Sequence, residues 1–185
     1  LAAGITVFEG HASADWIHDH VIMGETLLPA AAMMELLSAA AREATGEPLA
    51  LEAFAIHRPL TITPGDPVRW QVVVSGRVPD RCHVELHVAS DGATGWDRVA
   101  EADAVAIPPS HGSSSPVTER EIVTGALYEH FADQGAAFGP RFRLLGNVRG
   151  GTAAARAEAS LPGGLDDTGA YPVHLVLLDA ALQLC

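Results

Sequence analysis

The chain has 185 residues, of which 48% are hydrophobic and 18% are charged, a composition typical of a folded globular protein rather than a disordered one. Its net charge is −12, so a broad phosphate-binding surface is a poor hypothesis and we expect no nucleic-acid partner. All 11 basic residues are arginine, which excludes chemistry that needs a lysine, such as Schiff-base formation.

The cysteine content and the absence of targeting patterns predict a cytoplasmic location. Cys82 and Cys185 match neither a disulfide framework nor a metal-ligand spacing, so we expect a reducing compartment and no bound metal. The first residues lack the basic region of a signal peptide. No apolar run approaches the roughly 20 residues that a membrane-spanning helix needs, so we expect no membrane partner. Because the chain begins with Leu1, we expect it to be a piece of a longer protein.

A strongly apolar helix is predicted for residues 29–44. Pro29 suits the first turn of a helix, and Gly46 followed by Pro48 is a typical end. Apolar residues surround nearly the whole circumference up to Arg42, which is typical of a buried helix.

The segments that follow the helix have the patterns of antiparallel strands. They span residues 51–62, 68–78, 81–90 and 96–107, and turn-forming residues separate them. In the third segment Cys82, Val84, Leu86 and Val88 alternate with His83, Glu85 and His87, so we expect the first group in the core and the second facing solvent. The pattern H-x-E-x-H is not the H-E-x-x-H of zinc proteases. One buried helix followed by antiparallel strands predicts a sheet wrapped around that helix.

The sequence divides after these strands. Residues 108–118 are rich in Pro, Gly and Ser and are predicted to be a linker between residues 1–107 and residues 119–185. At its end, Thr118 and Glu121 fit a capping box for a helix that carries Ile122 and Tyr128. Two strands with a turn at residues 146–151 follow, and a second apolar helix is predicted for residues 171–185.

Three motifs stand out along the chain. The first is His20-x3-Gly24-x4-Pro29, the second is GAAFGPRF at residues 135–142, and the third is Asp179-x3-Gln183. In this order and spacing they resemble the dehydratase domains of modular type I polyketide synthases. The resemblance covers essentially the whole chain.

The resemblance implies an α+β double hot-dog fold, in which two curled antiparallel sheets each surround a central helix. The first hot-dog would carry the catalytic His20. The second, incomplete in this chain, would carry the catalytic Asp179. The implied reaction is dehydration of a β-hydroxyacyl thioester on an acyl carrier protein, without a further cofactor beyond the carrier's phosphopantetheine. The implied partners are the carrier protein, neighbouring synthase domains and a second copy of the chain in a homodimer.

Elementary acid–base chemistry supports the assignment of roles. Removal of water needs a base for the α-proton and an acid for the leaving hydroxyl, and an imidazole is a suitable base near neutral pH. A carboxyl can act as the acid only if burial raises its pKa. We therefore expect His20 to be the base and Asp179 the acid. Gln183, one helical turn later, would orient Asp179.

The remaining motif residues are predicted to bind the substrate. They are Gly24, Pro29, Phe138, Gly139, Pro140 and Phe142. Gly24 is expected to allow a close approach of the backbone, and Pro29 to begin the buried helix.

Several alternatives remain open on the sequence. The family's middle motif usually has two tyrosines where this chain has Ala136 and Phe138, which allows a non-catalytic structural domain. A domain that shifts the double bond, or one that closes a pyran or furan ring, would use the same histidine. A thioesterase of related fold would use a carboxylate. For Asp179 a helix-capping role is the simpler reading, because acidic residues favour the first turn of a helix.

Overall fold

The computed structural model of the chain describes residues 4–12, 15–63, 65–76, 81–89, 95–107, 120–151, 154–161 and 174–185. The predicted linker at residues 108–118 lies outside these ranges. The chain divides into two compact units, the first formed by residues 1–15 and 32–110 and the second by residues 16–31 and 111–185. Residues 16–31 therefore belong with the second half of the sequence, which places His20 and Asp179 in the same unit rather than in separate ones.

The first unit contains a five-stranded antiparallel sheet. Its spatial order is β1-β5-β6-β7-β4. The strands are β1 (Gly4–Ala12), β4 (Leu49–Ile56), β5 (Val68–Gly76), β6 (Arg81–Ala89) and β7 (Trp96–Ala106). Strands β5, β6 and β7 confirm the predictions for their segments to within two residues, whereas β4 ends at Ile56, six residues before the predicted end at residue 62.

The helix α1 (Ala30–Thr45) confirms the prediction for this segment. Gly46 ends it with a φ of 77° and a hydrogen bond from its N–H to the Arg42 carbonyl, an arrangement that favours glycine. Met33 and Leu37 are buried, and Leu36 and Ala39 line a cleft together with Phe8 of the sheet. The helix therefore lies against one face of the sheet, as its apolar composition predicts.

The inward face of β6 has the predicted residues. Cys82, Val84, Leu86 and Val88 are all buried. His83, Glu85 and His87 lie on the other face, but they are only partly exposed because charged partners on β7 surround them.

The described residues of the second unit form two small antiparallel sheets and two α-helices. One sheet has the order β3-β2-β9 and the other β11-β10-β8. The elements are β2 (His20–Ile22), β3 (Glu25–Thr26), β8 (Arg120–Glu121), α2 (Thr124–Asp133), β9 (Ala136–Phe138), β10 (Leu145–Gly150), β11 (Ala155–Ala159) and α3 (Leu175–Leu182). Its core is formed by Tyr128, Phe142, Leu144, Leu145, Val148, Leu175, Val176 and Ala180.

Two local predictions for this unit are wrong. The helix α2 begins at Thr124 after Val123, which makes no side-chain cap, and Glu121 lies in β8, so the capping box does not form. The turn expected at residues 146–151 lies later, at Gly151, whose N–H donates to the Ala154 carbonyl. Val148 is buried in the core, and this burial holds its segment in β10.

None of the helices in the described ranges is long and apolar enough to cross a lipid bilayer.

Candidate active site

His20 lies at the start of β2, in an apolar environment. The strand pairs with β9, and His20 is directly opposite Phe138 in the ladder. The imidazole centroid lies 5.5 Å from the ring of Phe138 and 5.1 Å from the ring of Phe142. His20 is only 7% exposed, so these two aromatic rings exclude water from most of its surface.

The hydrogen bonds of His20 define its tautomer. Its Nδ1 lies 2.9 Å from the Leu27 carbonyl oxygen, and a carbonyl can only accept, so Nδ1 carries the hydrogen. The Leu27 N–H in turn donates to the His20 carbonyl at 3.2 Å, which ties β2 to the segment after β3. In the neutral imidazole Nε2 therefore has a free lone pair, the form that a general base requires.

The lone pair of His20 faces Asp179. The distance from His20 Nε2 to Asp179 Oδ1 is 3.8 Å, which is too long for a direct hydrogen bond. The two groups are thus close enough to act on adjacent atoms of one substrate, but neither is neutralised by bonding to the other.

Asp179 is the fifth residue of α3 and is 6% exposed. The helix is capped instead by His174, whose Nδ1 accepts a hydrogen bond from the Val176 N–H at 3.3 Å, so a capping role for Asp179 is wrong. Burial raises the pKa of the Asp179 carboxyl; the hydrogen bond from Gln183 and the charge of His20 oppose this increase without cancelling it. Burial thus shifts the carboxyl toward the protonated form that an acid catalyst needs.

This raised pKa has a predicted consequence for stability. Between the ordinary pKa of aspartic acid, about 3.9, and the raised value, the folded state binds more protons than the unfolded state. The free energy of unfolding therefore falls as the pH rises through this window, with a slope of at most about 1.4 kcal/mol per pH unit. Urea unfolding measures the free energy of unfolding of the wild type and of Asp179→Asn at each pH. The value for the wild type minus that for the variant should fall as the pH rises through this window. A difference independent of pH would contradict the assignment.

Gln183 holds the Asp179 carboxyl in place. Its Nε2 donates to Asp179 Oδ2 at 2.9 Å and to the Phe142 carbonyl at 3.0 Å. The second bond anchors the Gln183 amide to the backbone of Phe142, whose ring contacts the imidazole of His20. The Asp179 carboxyl is therefore positioned relative to His20. The structure brings His20, Phe142, Asp179 and Gln183 together.

Tyr128 joins this network, a role that no motif in the sequence predicted. Its hydroxyl lies 3.2 Å from Gln183 Oε1 and accepts a hydrogen bond from the Leu145 N–H at 3.2 Å. Burial raises the pKa of Tyr128, so the hydroxyl stays a neutral donor. It thereby sets which way the Gln183 amide faces. A helix tyrosine 55 residues before its partner has no local sequence signal for such a contact.

We predict that Tyr128→Phe lowers kcat by about tenfold with little change in KM, because the carboxyl loses its fixed orientation. The same change leaves the Leu145 N–H without its acceptor, at a cost of about 1–3 kcal/mol in the free energy of unfolding. Steady-state kinetics and urea unfolding measure the two effects. An unchanged kcat would show that Tyr128 supports only the fold.

The GPRF segment is fixed by Asp19, the residue before His20. The Asp19 carbonyl accepts from the Gly139 N–H at 2.6 Å, and its carboxylate accepts from the Arg141 N–H at 3.1 Å. A Cβ on residue 139 would collide with that carboxylate, which explains the glycine. Pro140 then begins a short 3₁₀ turn that places Phe142, fully buried, beside His20. No feature of the sequence predicted this positioning role for Asp19.

Gly24, in the first motif, has a structural role that differs from the predicted one. Gly24 is exposed at the tip of the β2–β3 hairpin with a φ of 83°, and a Cβ there would meet open space. The prediction of close backbone approach is therefore wrong, and the positive φ explains the glycine. Pro29 is fully buried immediately before α1. Roles for Gly24 and Pro29 in substrate binding stay predictions.

Comparison with known proteins matches nearly the whole chain to one family. Residues 2–89 match the family model described as polyketide synthase dehydratase domain, and residues 106–185 match the model described as polyketide synthase dehydratase N-terminal domain. Polyketide synthase GfsB of Streptomyces halstedii is 35% identical over 192 residues, which cover 96% of this chain and 3% of that protein. Erythronolide synthase EryA2 of Saccharopolyspora erythraea is 31% identical, with 97% and 5% covered. The chain thus spans a small fraction of these curated relatives.

Solved structures agree with the sequence matches. The dehydratase domain of the polyketide synthase PpsC from Mycobacterium tuberculosis superimposes with a TM-score of 0.84 at 28% identity, covering 98% of this chain and 68% of that one. The dehydratase domain from the terminal module of the rifamycin polyketide synthase gives 0.82 at 26% identity, with 97% and 70% covered. The chain belongs to the dehydratase domains of type I polyketide synthases, a family of hydro-lyases. The predicted double hot-dog fold is confirmed.

Proposed function

We propose that this chain removes water from a β-hydroxyacyl thioester and forms the α,β-unsaturated thioester during polyketide chain extension. The observation that carries the proposal is the buried pair of His20 and Asp179. One has an unprotonated nitrogen and the other a carboxyl of raised pKa, and they face each other across 3.8 Å.

Each group has one step in the reaction. His20 Nε2 takes the α-proton, and the electrons of that C–H bond form the double bond between Cα and Cβ. The bond from Cβ to oxygen breaks, and the Asp179 proton joins the leaving hydroxyl to give water. Proton return from the imidazolium to the carboxylate then restores both groups. Gln183 is a positioning residue in this scheme.

We further propose that apolar residues beside His20 line a channel for the acyl chain of the substrate. Phe138 and Phe142 are the aromatic contacts of the His20 ring. With Gly139 and Pro140 they would shape the passage for the acyl chain, and Gly24 and Pro29 would contribute from the first motif. Apolar walls suit an acyl chain, and burial away from water raises the pKa of Asp179.

We also propose that the thioester arrives on the phosphopantetheine of an acyl carrier protein, within a synthase that supplies the neighbouring domains, and that the domain needs no other cofactor. The matched relatives are long synthases, which supports this context. The net charge of −12 disfavours an acidic carrier at long range, so docking needs local positive charge. Arg141 and Arg143 are exposed on either side of Phe142 and supply such charge next to the site.

This docking proposal predicts a selective effect of Arg141→Ala. KM should rise by about threefold to fivefold for a carrier-bound substrate. KM should not change for a short thioester that lacks both the carrier protein and the phosphate of its phosphopantetheine arm. Arg120→Ala, an exposed arginine on β8, is the matched control. Equal KM increases for both substrates, or for both variants, would contradict the proposal.

The reaction is tested by its product. We would incubate the protein with a β-hydroxyacyl carrier protein and follow the intact mass of the carrier together with the ultraviolet absorbance of a conjugated thioester. Loss of one water with conjugated absorbance supports dehydration. Loss of water without conjugation would indicate a shifted double bond. Consumption of an added enoyl thioester without a mass change would indicate ring closure, and release of free acid would indicate a thioesterase.

A homodimer and a cytoplasmic location complete the proposal. Ile5 and Val7 are exposed on β1, an edge strand of the five-stranded sheet, and an apolar edge of this kind supports pairing with a second copy. Sedimentation at several protein concentrations tests this part, and a monomer at all of them would contradict it.

A further inference from the structure

A second cluster of titratable side chains lies in the first unit, on the outer face of the sheet. It consists of His83 and Glu85 on β6 and Glu101 on β7, and we call it the β6–β7 cluster. Glu85 and Glu101 are directly opposite each other in the ladder. Like charges in that position destabilise a sheet unless a cation lies between them. The proposed reaction does not use these residues.

His83 is oriented as a ligand. Its Nδ1 lies 3.0 Å from Asp103 Oδ1, and a second oxygen of that carboxylate accepts from Arg81 at 2.6 Å. The ionised carboxylate can only accept, so Nδ1 carries the hydrogen, and in the neutral imidazole the lone pair is on Nε2. A carboxylate behind an imidazole is the arrangement that supports histidine ligands in metal sites.

The free nitrogen of His83 faces both glutamates. Its Nε2 lies 3.9 Å from Glu85 Oε1 and 3.7 Å from Glu101 Oε2, and the three ligand atoms all lie within 4.8 Å of one another. Tetrahedral zinc with bonds of about 2.0–2.2 Å places its ligand atoms roughly 3.3 Å apart. Small side-chain rotations would bring the three atoms to that spacing.

Arg98 occupies the position between the two carboxylates. Its Nη1 lies 2.7 Å from Glu85 Oε1 and 2.6 Å from Glu101 Oε2. The side chain is 44% exposed, so it can move into solvent when another cation takes its position. The cluster is therefore built around a cation, and a divalent ion would balance its charge better than one guanidinium.

His87 places a second imidazole beside the cluster. Its side chain is 19% exposed, and its Nε2 lies 3.5 Å from Glu85 Oε2. A metal ion bound through Glu85 would therefore have this imidazole nearby as a further ligand.

We propose that His83, Glu85 and Glu101 bind a divalent transition-metal ion of the zinc class, in competition with Arg98. The ion would join β6 to β7 on the outer face of the sheet and stabilise the first unit. The site is independent of the proposed dehydration.

The test is zinc binding to the protein without an affinity tag, measured by calorimetry with Zn²⁺ alone and by the visible spectrum with Co²⁺. We expect saturable binding of one ion, a tetrahedral cobalt spectrum, and a rise in Tm with zinc concentration. His83→Ala should weaken binding by more than about tenfold, and Asp103→Asn by about tenfold. Arg98→Gln should tighten binding severalfold because the competing cation is removed.

His11→Ala, which removes an exposed histidine from β1 of the same unit, is the matched control and should bind zinc like the wild type. His83→Gln replaces His83→Ala if the alanine variant does not fold. Failure to bind zinc, equal binding by the wild type and His83→Ala, or weaker binding by Arg98→Gln would each overturn the proposal.

Discussion

His20→Ala is expected to lower kcat/KM for formation of the unsaturated thioester by about 10²–10⁴-fold, the usual contribution of a general base. The variant removes the Nε2 lone pair that lies 3.8 Å from the Asp179 carboxyl. The ring packs between Phe138 and Phe142, so the variant also leaves a small cavity and loses some stability. Water loss from the substrate measures activity, and circular dichroism with urea unfolding measures the fold.

Two further variants make the His20 result decisive. His20→Gln fills more of the volume but cannot take a proton, so it should be inactive even if the alanine variant does not fold. His130→Ala removes an exposed histidine from α2 in the same unit and should keep full activity. A folded His20→Ala protein that removes water at the wild-type rate would contradict the proposed mechanism.

Asp179→Asn is expected to lower the rate of dehydration by about 10²–10⁴-fold while exchange of the α-proton with solvent continues. The amide keeps the shape of the carboxyl but cannot deliver a proton to the leaving hydroxyl. His20 is unchanged, so it still takes the α-proton, and a substrate recovered from heavy water should carry deuterium at Cα. Mass spectrometry of the recovered substrate and of the product measures both steps.

The fold of the Asp179→Asn variant should be intact. Burial penalises a charged carboxylate at this position, so a neutral amide should be tolerated at neutral pH. Asp133→Asn, at the exposed end of α2, is the matched control and should leave both steps unchanged. Unchanged dehydration by Asp179→Asn would rule out the acid role, and loss of the exchange together with dehydration would mean that Asp179 also orients the base.

Local patterns predicted the parts of the fold that local physics controls. The apolar helix α1, with Gly46 at its end, and the alternation along β6 are properties of single segments, and both are confirmed. The start of α2 and the turn after β10 were misplaced because tertiary packing decides them. Glu121 pairs in a sheet with Arg149, and Val148 is held in the core.

Only those residues of the candidate site that belong to the three sequence motifs could be predicted. His20, Asp179 and Gln183 were found because they recur in a recognisable order. The contacts that position them join distant parts of the chain, as between Tyr128 and Gln183 or between Asp19 and the segment after Gly139. Such contacts exist only once the chain has folded, so spacing along the sequence does not reveal them.

In the proposed reaction, one buried imidazole and one buried carboxyl of raised pKa remove water from a β-hydroxyacyl thioester. The most direct measurement is the mass of each epimer of a short β-hydroxyacyl pantetheine thioester after incubation with the wild type and, in parallel, with His20→Ala. We expect loss of one water from one epimer with the wild type and from neither epimer with the variant. No loss of water from either epimer with the folded wild type, repeated on a carrier-bound substrate, would contradict it.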